Sequence, residues 1–260
     1  MKWSEPLNCW ICGKHADTGE HKIKKSLLTY IYGKGPYKGD NSLSHFRKDE
    51  NGRDFLKELQ GPNAKQIKFP KNICSQCNNV KTQPFDFAYD AFYKYLIENK
   101  SIIDDGFIDF EKVFGSNWRF EQENLYKYFL KLLGCDLDAH HLPVPDDIVN
   151  CINGIGDYRL EVEFSINLDK YLFDPYFKGL IGTGDLSYLS KDIYSNDKNS
   201  YKWSIFFSYI NIDLWFDWPR YSKNNFSFRI GNKSVDLFCF SPLDNEQRIE
   251  VYKKIYGGCS

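Results

Sequence analysis

With 260 residues, 42% of them hydrophobic and 17% aromatic, the chain carries enough apolar mass for a folded core of one large or two modest units, which excludes an intrinsically disordered polypeptide. The formal net charge of −1 argues against a polyanion partner for the chain as a whole, yet residues 1–81 hold 15 Lys and Arg against 8 Asp and Glu, and the remainder holds 19 against 27. One basic end on a neutral chain is the footprint expected when a single module meets phosphates.

Met1 to Asn8 has no apolar core of signal-peptide length, and no segment reaches the ~18 consecutive apolar residues of a membrane helix, so a cytoplasmic protein with no membrane partner is expected. Eight cysteines in such a chain point to reduced thiols and metal binding rather than a disulfide framework.

In chain order, Cys9-Trp10-Ile11-Cys12-Gly13 reads as a knuckle, with a short strand after it around Glu20 to Ile23. Residues 31–70 are rich in Gly, Lys, Asp and Asn, with little apolar periodicity beyond Phe55, Leu56 and Leu59. They read as a long surface loop with one helical turn. Cys74 to Lys81 opens a helical pattern that Pro84 interrupts, and Phe85, Ala88, Phe92, Tyr95 and Leu96 continue it at helical spacing. Leu125, Tyr128, Phe129, Leu132 and Leu133 form a second buried stripe with Gly134 as its expected C-cap, and Pro143 to Pro145 turn into a short helix.

From Leu160 the period becomes two: Leu160, Val162, Phe164, Ile166 and Leu168, then Trp203, Ile205, Phe207 and Tyr209, then Ile210, Ile212, Leu214 and Phe216. Phe226, Phe228 and Ile230 lead into Gly231-Asn232, a two-residue hairpin signal. Asn245 to Tyr256 is helical, with Asp244 as N-cap and Gly257 beyond its end. Trp203, Trp215 and Trp218 sit at strand period and read as core rather than as base-stacking platforms.

Two Cys-x-x-Cys pairs, Cys9/Cys12 and Cys74/Cys77, have the spacing with which four thiolates close a tetrahedral structural Zn²⁺ site across the long loop. His15 is an alternative ligand. Cys135, Cys151, Cys239 and Cys259 are scattered and read as core thiols. Glu20-His21 comes after the first pair, and Asn78-Asn79-x-Lys81 comes directly after the second.

This order, Cys-x-x-Cys, acidic residue-His, Cys-x-x-Cys-Asn-x-x-Lys, resembles the HNH (ββα-metal, His-Me finger) endonucleases from Cys9 to about Lys81. Thr82-Gln83-Pro84-Phe85-Asp86 is also similar to the segment beyond the last cysteine pair in longer bacterial members. The resemblance implies His21 as general base, and Glu20 and Asn78 as ligands of one catalytic Mg²⁺ or Mn²⁺. Lys81 would add charge beside the phosphate, and either Asn63 or Asn72, with Asn72 preferred, would brace the His-bearing loop. Imidazole suits proton abstraction at neutral pH, and hard oxygen ligands suit the metal. On a helix, Asn78 and Lys81 share a face. The pattern departs from the family in Glu at position 20, in Asn at position 78, and in the long spacing between His21 and Cys74, where His45 reads as a loop histidine.

The expected fold is therefore α+β. A zinc-stapled ββα-metal, treble-clef-like nuclease module spans residues 1–100 with its insertion at 31–70. A helical connector spans 101–157, and a β-rich accessory region with a C-terminal helix spans 158–260. The expected activity is phosphodiester hydrolysis on nucleic acid, DNA favoured over RNA, with a protein partner for the C-terminal β region also compatible. Phage defence, restriction and mobile-element roles fit equally. The alternative is a non-catalytic zinc-stabilised nucleic-acid-binding or scaffold module.

Overall fold

A computed structural model describes residues 8–48, 54–156, 159–167, 180–190, 199–217, 226–240, 244–247 and 249–250. Within them the fold is α+β. The helices are α1 (Lys25–Tyr32), α2 (Gln83–Glu98), α3 (Ser101–Asp105), α4 (Phe110–Phe114), α5 (Trp118–Ala139) and α6 (Asp146–Ile152). The strands are β1 (Ser44–Lys48), β2 (Asp54–Glu58), β3 (Phe107–Asp109), β4 (Leu160–Asn167), β5 (Leu180–Thr183), β6 (Ser187–Ser190), β7 (Asn199–Phe207), β8 (Ile210–Phe216), β9 (Ser227–Phe228), β10 (Ser234–Asp236) and β11 (Phe238–Phe240).

Nine strands form one sheet in the order β11-β4-β8-β7-β5-β1-β2, with β6 on β7 and β9 on β4. The alternation read from Leu160 and from Trp203 is realised in β4, β7 and β8, which pair antiparallel and bury Val162, Phe164, Trp203, Ile205, Ile212 and Leu214. Helix α5 is the central helix. Apolar residues lie on more than one of its sides, as befits a helix that packs against α2, α4 and α6 and sets Phe129 against Phe164 of β4. Phe92 of α2 and Phe164 of β4 meet at 5.0 Å between ring centroids, as do Phe110 of α4 and Phe228 of β9, so an aromatic cluster ties helices to sheet.

Three local readings are corrected. Residues 31–70 are not a plain surface loop, because Ser44–Lys48 and Asp54–Glu58 form an antiparallel hairpin whose β1 joins β5 in parallel. His45 lies on β1 and is buried. Gly134 does not end its helix, which continues to Ala139. A Cβ at Gly134 would stand 2.5 Å from the Trp10 ring, so the glycine there makes room for the knuckle. Gly231-Asn232 does not join a hairpin either, because β9 pairs with β4 and β10 with β3.

The C-terminal helix begins as expected. Asp244 Oδ1 accepts from the Gln247 amide at 2.8 Å and Gln247 Oε1 accepts from the Asp244 amide at 3.1 Å, a reciprocal capping box. Leu168, Trp218, Cys259 and the end of that helix, including Tyr252, Tyr256 and Gly257, fall outside the described residues, as does the side chain of Cys239. Among the described residues no helix is long and apolar enough to cross a membrane.

Candidate metal centre and the groups around it

The first knuckle is a tight turn. The amides of Cys12 and Gly13 both donate to the Cys9 carbonyl, and Gly13 takes φ 74°, a left-handed conformation that glycine adopts without strain. Asp17 Oδ1 accepts from the Ser75 amide at 2.6 Å, capping the turn that carries the second pair, and the Cys77 amide donates to Cys74 Sγ at 3.4 Å. Together these turns bring the sulfurs of Cys9, Cys12, Cys74 and Cys77 within 4.8 Å of one another, with Cys12 and Cys74 at 3.6 Å. A tetrahedral site with Zn–S of about 2.3 Å needs sulfurs about 3.8 Å apart, so the cluster could hold such an ion with shifts of at most about 1 Å in any sulfur–sulfur distance.

Burial and the neighbouring thiols push Cys77 well above the usual thiol range, and burial also raises Cys9. At Cys12 burial is outweighed by hydrogen bonds from the Lys14 amide and the neighbouring thiols, which lower it to about 7, so the cluster already offers one thiolate near neutral pH, and a soft divalent metal would favour the thiolate form of the buried Cys9 and Cys77. His15 lies outside the cluster. Cys135 and Cys151 are buried free thiols of the helical core.

Between the knuckles the chain doubles back on itself. Thr18 pairs with Ile73 and His21 with Lys68 as isolated bridges, and the amides of Lys22 and Phe69 bond the carbonyls of Ile67 and Glu20. The segment expected to be a short strand is thus an irregular one. Gly19 makes its close approach possible, since a Cβ there would lie 2.5 Å from the Phe69 carbonyl oxygen.

Glu20 is buried beneath this turn. Its Oε1 accepts from the His21 amide at 2.7 Å, and its Oε2 pairs with Lys131 Nζ from α5. Lys131 is fully buried and also reaches Asp86 Oδ1 of α2 at 3.3 Å. Lys24, just before α1, binds Asp86 at 3.6 Å and Asp90 at 3.0 Å, so two lysines and three carboxylates form one partly buried network. Burial works to raise the Glu20 pKa, but the Lys131 charge outweighs it and holds the carboxyl below its usual range. Asp86, less fully compensated, is raised by burial.

The His21 side chain is partly buried. Its Nε2 is buried without a hydrogen-bond partner among the described residues. Burial, with the charges of Lys68 and Lys25, lowers its pKa, against the opposing pull of Glu20 and a polar contact from the Asn63 side chain. Asn72 instead bonds the Cys135 carbonyl through its side chain at 2.8 Å and the Thr18 carbonyl through its amide at 3.1 Å, fastening the turn to α5.

Asn78 and Lys81 occupy a π turn spanning Cys77–Lys81, where the wider turn spreads residues three apart further around the axis than in an α-helix. Asn78 Nδ2 donates to Thr18 Oγ1 at 3.4 Å, and Lys81 Nζ donates to Asn153 at the end of α6. The structure thus brings Asn78 against the segment that carries Glu20 and His21, while Lys81 takes its partner from α6.

Lys131 and Asp86 are the residues that sequence reasoning missed. The available signal was a lysine set among Tyr128, Leu130, Leu132 and Leu133, where a solvated side chain has no place. No family model, curated protein or solved structure matches the chain.

Proposed function

We propose that the protein is a metal-dependent endonuclease of the HNH class that hydrolyses phosphodiester bonds, with DNA favoured over RNA. One observation carries this reading. The four-cysteine staple holds the turn bearing Glu20 and His21 against the helical start bearing Asn78, with Thr18 and Asn78 in contact, which is the order of parts that the resemblance implies.

In this reading His21, kept neutral by burial and its lysine neighbours, takes the proton of the attacking water, and its buried Nε2, which has no partner among the described residues, would have to open to that water. Glu20 and Asn78 would hold one Mg²⁺ or Mn²⁺, which supplies charge stabilisation at the phosphate. A carboxylate offers about four lone-pair sites, and the His21 amide and Lys131 engage one each, so Glu20 retains acceptor capacity for a cation. Lys81 is exposed and would have to leave Asn153 to meet a phosphate. The C-terminal sheet would contribute substrate or partner selection.

A second reading rests on the buried Glu20–Lys131 pair, which already neutralises the carboxylate: a zinc-stabilised nucleic-acid-binding module without catalysis. The two separate in a plasmid assay. The nuclease nicks supercoiled DNA with Mg²⁺ or Mn²⁺, and His21→Ala abolishes nicking while leaving zinc content and melting temperature unchanged. Undiminished nicking by that variant removes His21 as the base. Salt-sensitive binding with no divalent-dependent cleavage selects the second reading.

A further inference from the structure

Beside His21 lies a cleft of about 770 Å³, walled by Lys25, Thr29 and Lys34 on the α1 side and by Asn63, Lys65 and Gln66 on the other. It is built entirely from the chain between the two cysteine pairs. Its lining contains three lysines and no carboxylate, and all three lysines are exposed. Two observations place it. The turn Lys65–Ile67, which supplies Lys65 and Gln66, is tied to the His21 segment by the His21–Lys68 bridge and by the bond from the Lys22 amide to the Ile67 carbonyl, and α1, which supplies Lys25 and Thr29, begins four residues after His21, so the cleft adjoins the segment that carries the histidine.

A concave wall of lysines and side-chain amides, with no acid to neutralise it, suits a ligand that presents successive negative charges and hydrogen-bond acceptors. We propose that this cleft holds the phosphodiester backbone of a nucleic acid strand on one side of His21. Its placement next to a reacting phosphate rests on the nuclease reading, whereas the binding itself does not.

The test measures binding, with the His21→Ala protein, full length and zinc-loaded, titrated into a labelled 12-mer oligonucleotide in buffer without added Mg²⁺ or Mn²⁺. Adding Lys34→Gln and Lys65→Gln removes two phosphate contacts. Affinity then falls roughly tenfold to hundredfold at 0.1 M salt, and the slope of log K against log salt becomes shallower by about 1.4 for a single strand or 1.8 for a duplex. Lys94→Gln with Lys112→Gln, an equal charge loss on α2 and α4, leaves both quantities near their starting values. Inorganic phosphate competes no better than chloride at matched ionic strength.

Equal losses in the two double variants, no loss in either, no binding by the parent, or selective displacement by inorganic phosphate would each overturn the cleft as a strand site. The plasmid assay judges the nuclease reading separately. A protein that binds through the cleft but never cleaves refutes only that reading, and one that cleaves with binding indifferent to Lys34 and Lys65 refutes only the cleft.

Discussion

Replacing Lys131 with methionine keeps all but the terminal atom's length of the side chain and deletes its charge, leaving Glu20, only 7% exposed, without its lysine partner. Asp86 retains Lys24 at 3.6 Å, so the penalty falls mainly on Glu20. Removing one partner of a buried ion pair costs about 3–5 kcal/mol, a large share of the ~5–15 kcal/mol by which a domain is stable. The pH dependence comes from the direction of the shift. In the parent the Glu20 carboxyl lies below its usual 4.5, so its contribution to stability is present above that value and is lost as pH falls through the folded-state pKa. Without Lys131, burial alone raises the carboxyl, and the variant's penalty shrinks as pH falls. Urea unfolding of zinc-loaded protein at pH 8 and pH 5 measures both effects. The expected result is a loss of about 3–5 kcal/mol at pH 8, smaller at pH 5, and largely recovered when Glu20→Gln is added to Lys131→Met. A loss under about 1 kcal/mol, or one equal at both pH values, would refute the network as described.

Other perturbations test other parts. Cys74→Ser removes one of four thiolates, and zinc stoichiometry by atomic absorption is expected to fall towards zero, with the melting transition of residual folded protein lowered; full zinc retention would contradict a four-thiolate site. Gly134→Leu drives a side chain into the Trp10 ring and is expected to cost at least about 1–3 kcal/mol in chemical denaturation, whereas Gly134→Leu at parental stability would place Trp10 elsewhere. Asp136, 1% exposed, is pushed up by burial to about 6 against the partial relief of His140 and Lys22. Its contribution is therefore fully present below the unfolded value of 3.8 and lost as pH rises through about 6. Asp136→Asn is expected to gain up to about 3 kcal/mol at pH 8 and nothing near pH 4, and a pH-independent difference would be the wrong result.

The sequence was most legible where structure obeys local period or local chemistry. The alternation in β4, β7 and β8 is set by one buried face of each strand, and the cysteine pairs announce themselves by spacing. It was least legible where a partner far along the chain decides. Ser44–Lys48 and Asp54–Glu58 are rich in charge and lack a clear apolar alternation, and they are extended because they pair with each other and β1 pairs with β5, some 130 residues later. Gly134 is a helix-stop residue by propensity, yet its role is steric, set by Trp10 from the other end of the chain. Lys131 belongs to the same class. Only the fold reveals that α5 delivers its ammonium to a carboxylate 111 residues earlier.

The proposed nuclease requires two distinct cation sites at the knuckle-stapled turn, one of sulfur and one of oxygen. A crystal of the zinc-loaded protein soaked in Mn²⁺, with anomalous difference maps collected at the zinc and manganese edges, tests it most directly. The account predicts a zinc peak among Cys9, Cys12, Cys74 and Cys77 and a separate manganese peak between the Glu20 carboxylate and the Asn78 amide oxygen. Zinc in its place and no manganese at Glu20, with Lys131 still paired to that carboxylate, would contradict the catalytic reading and leave a structural zinc module.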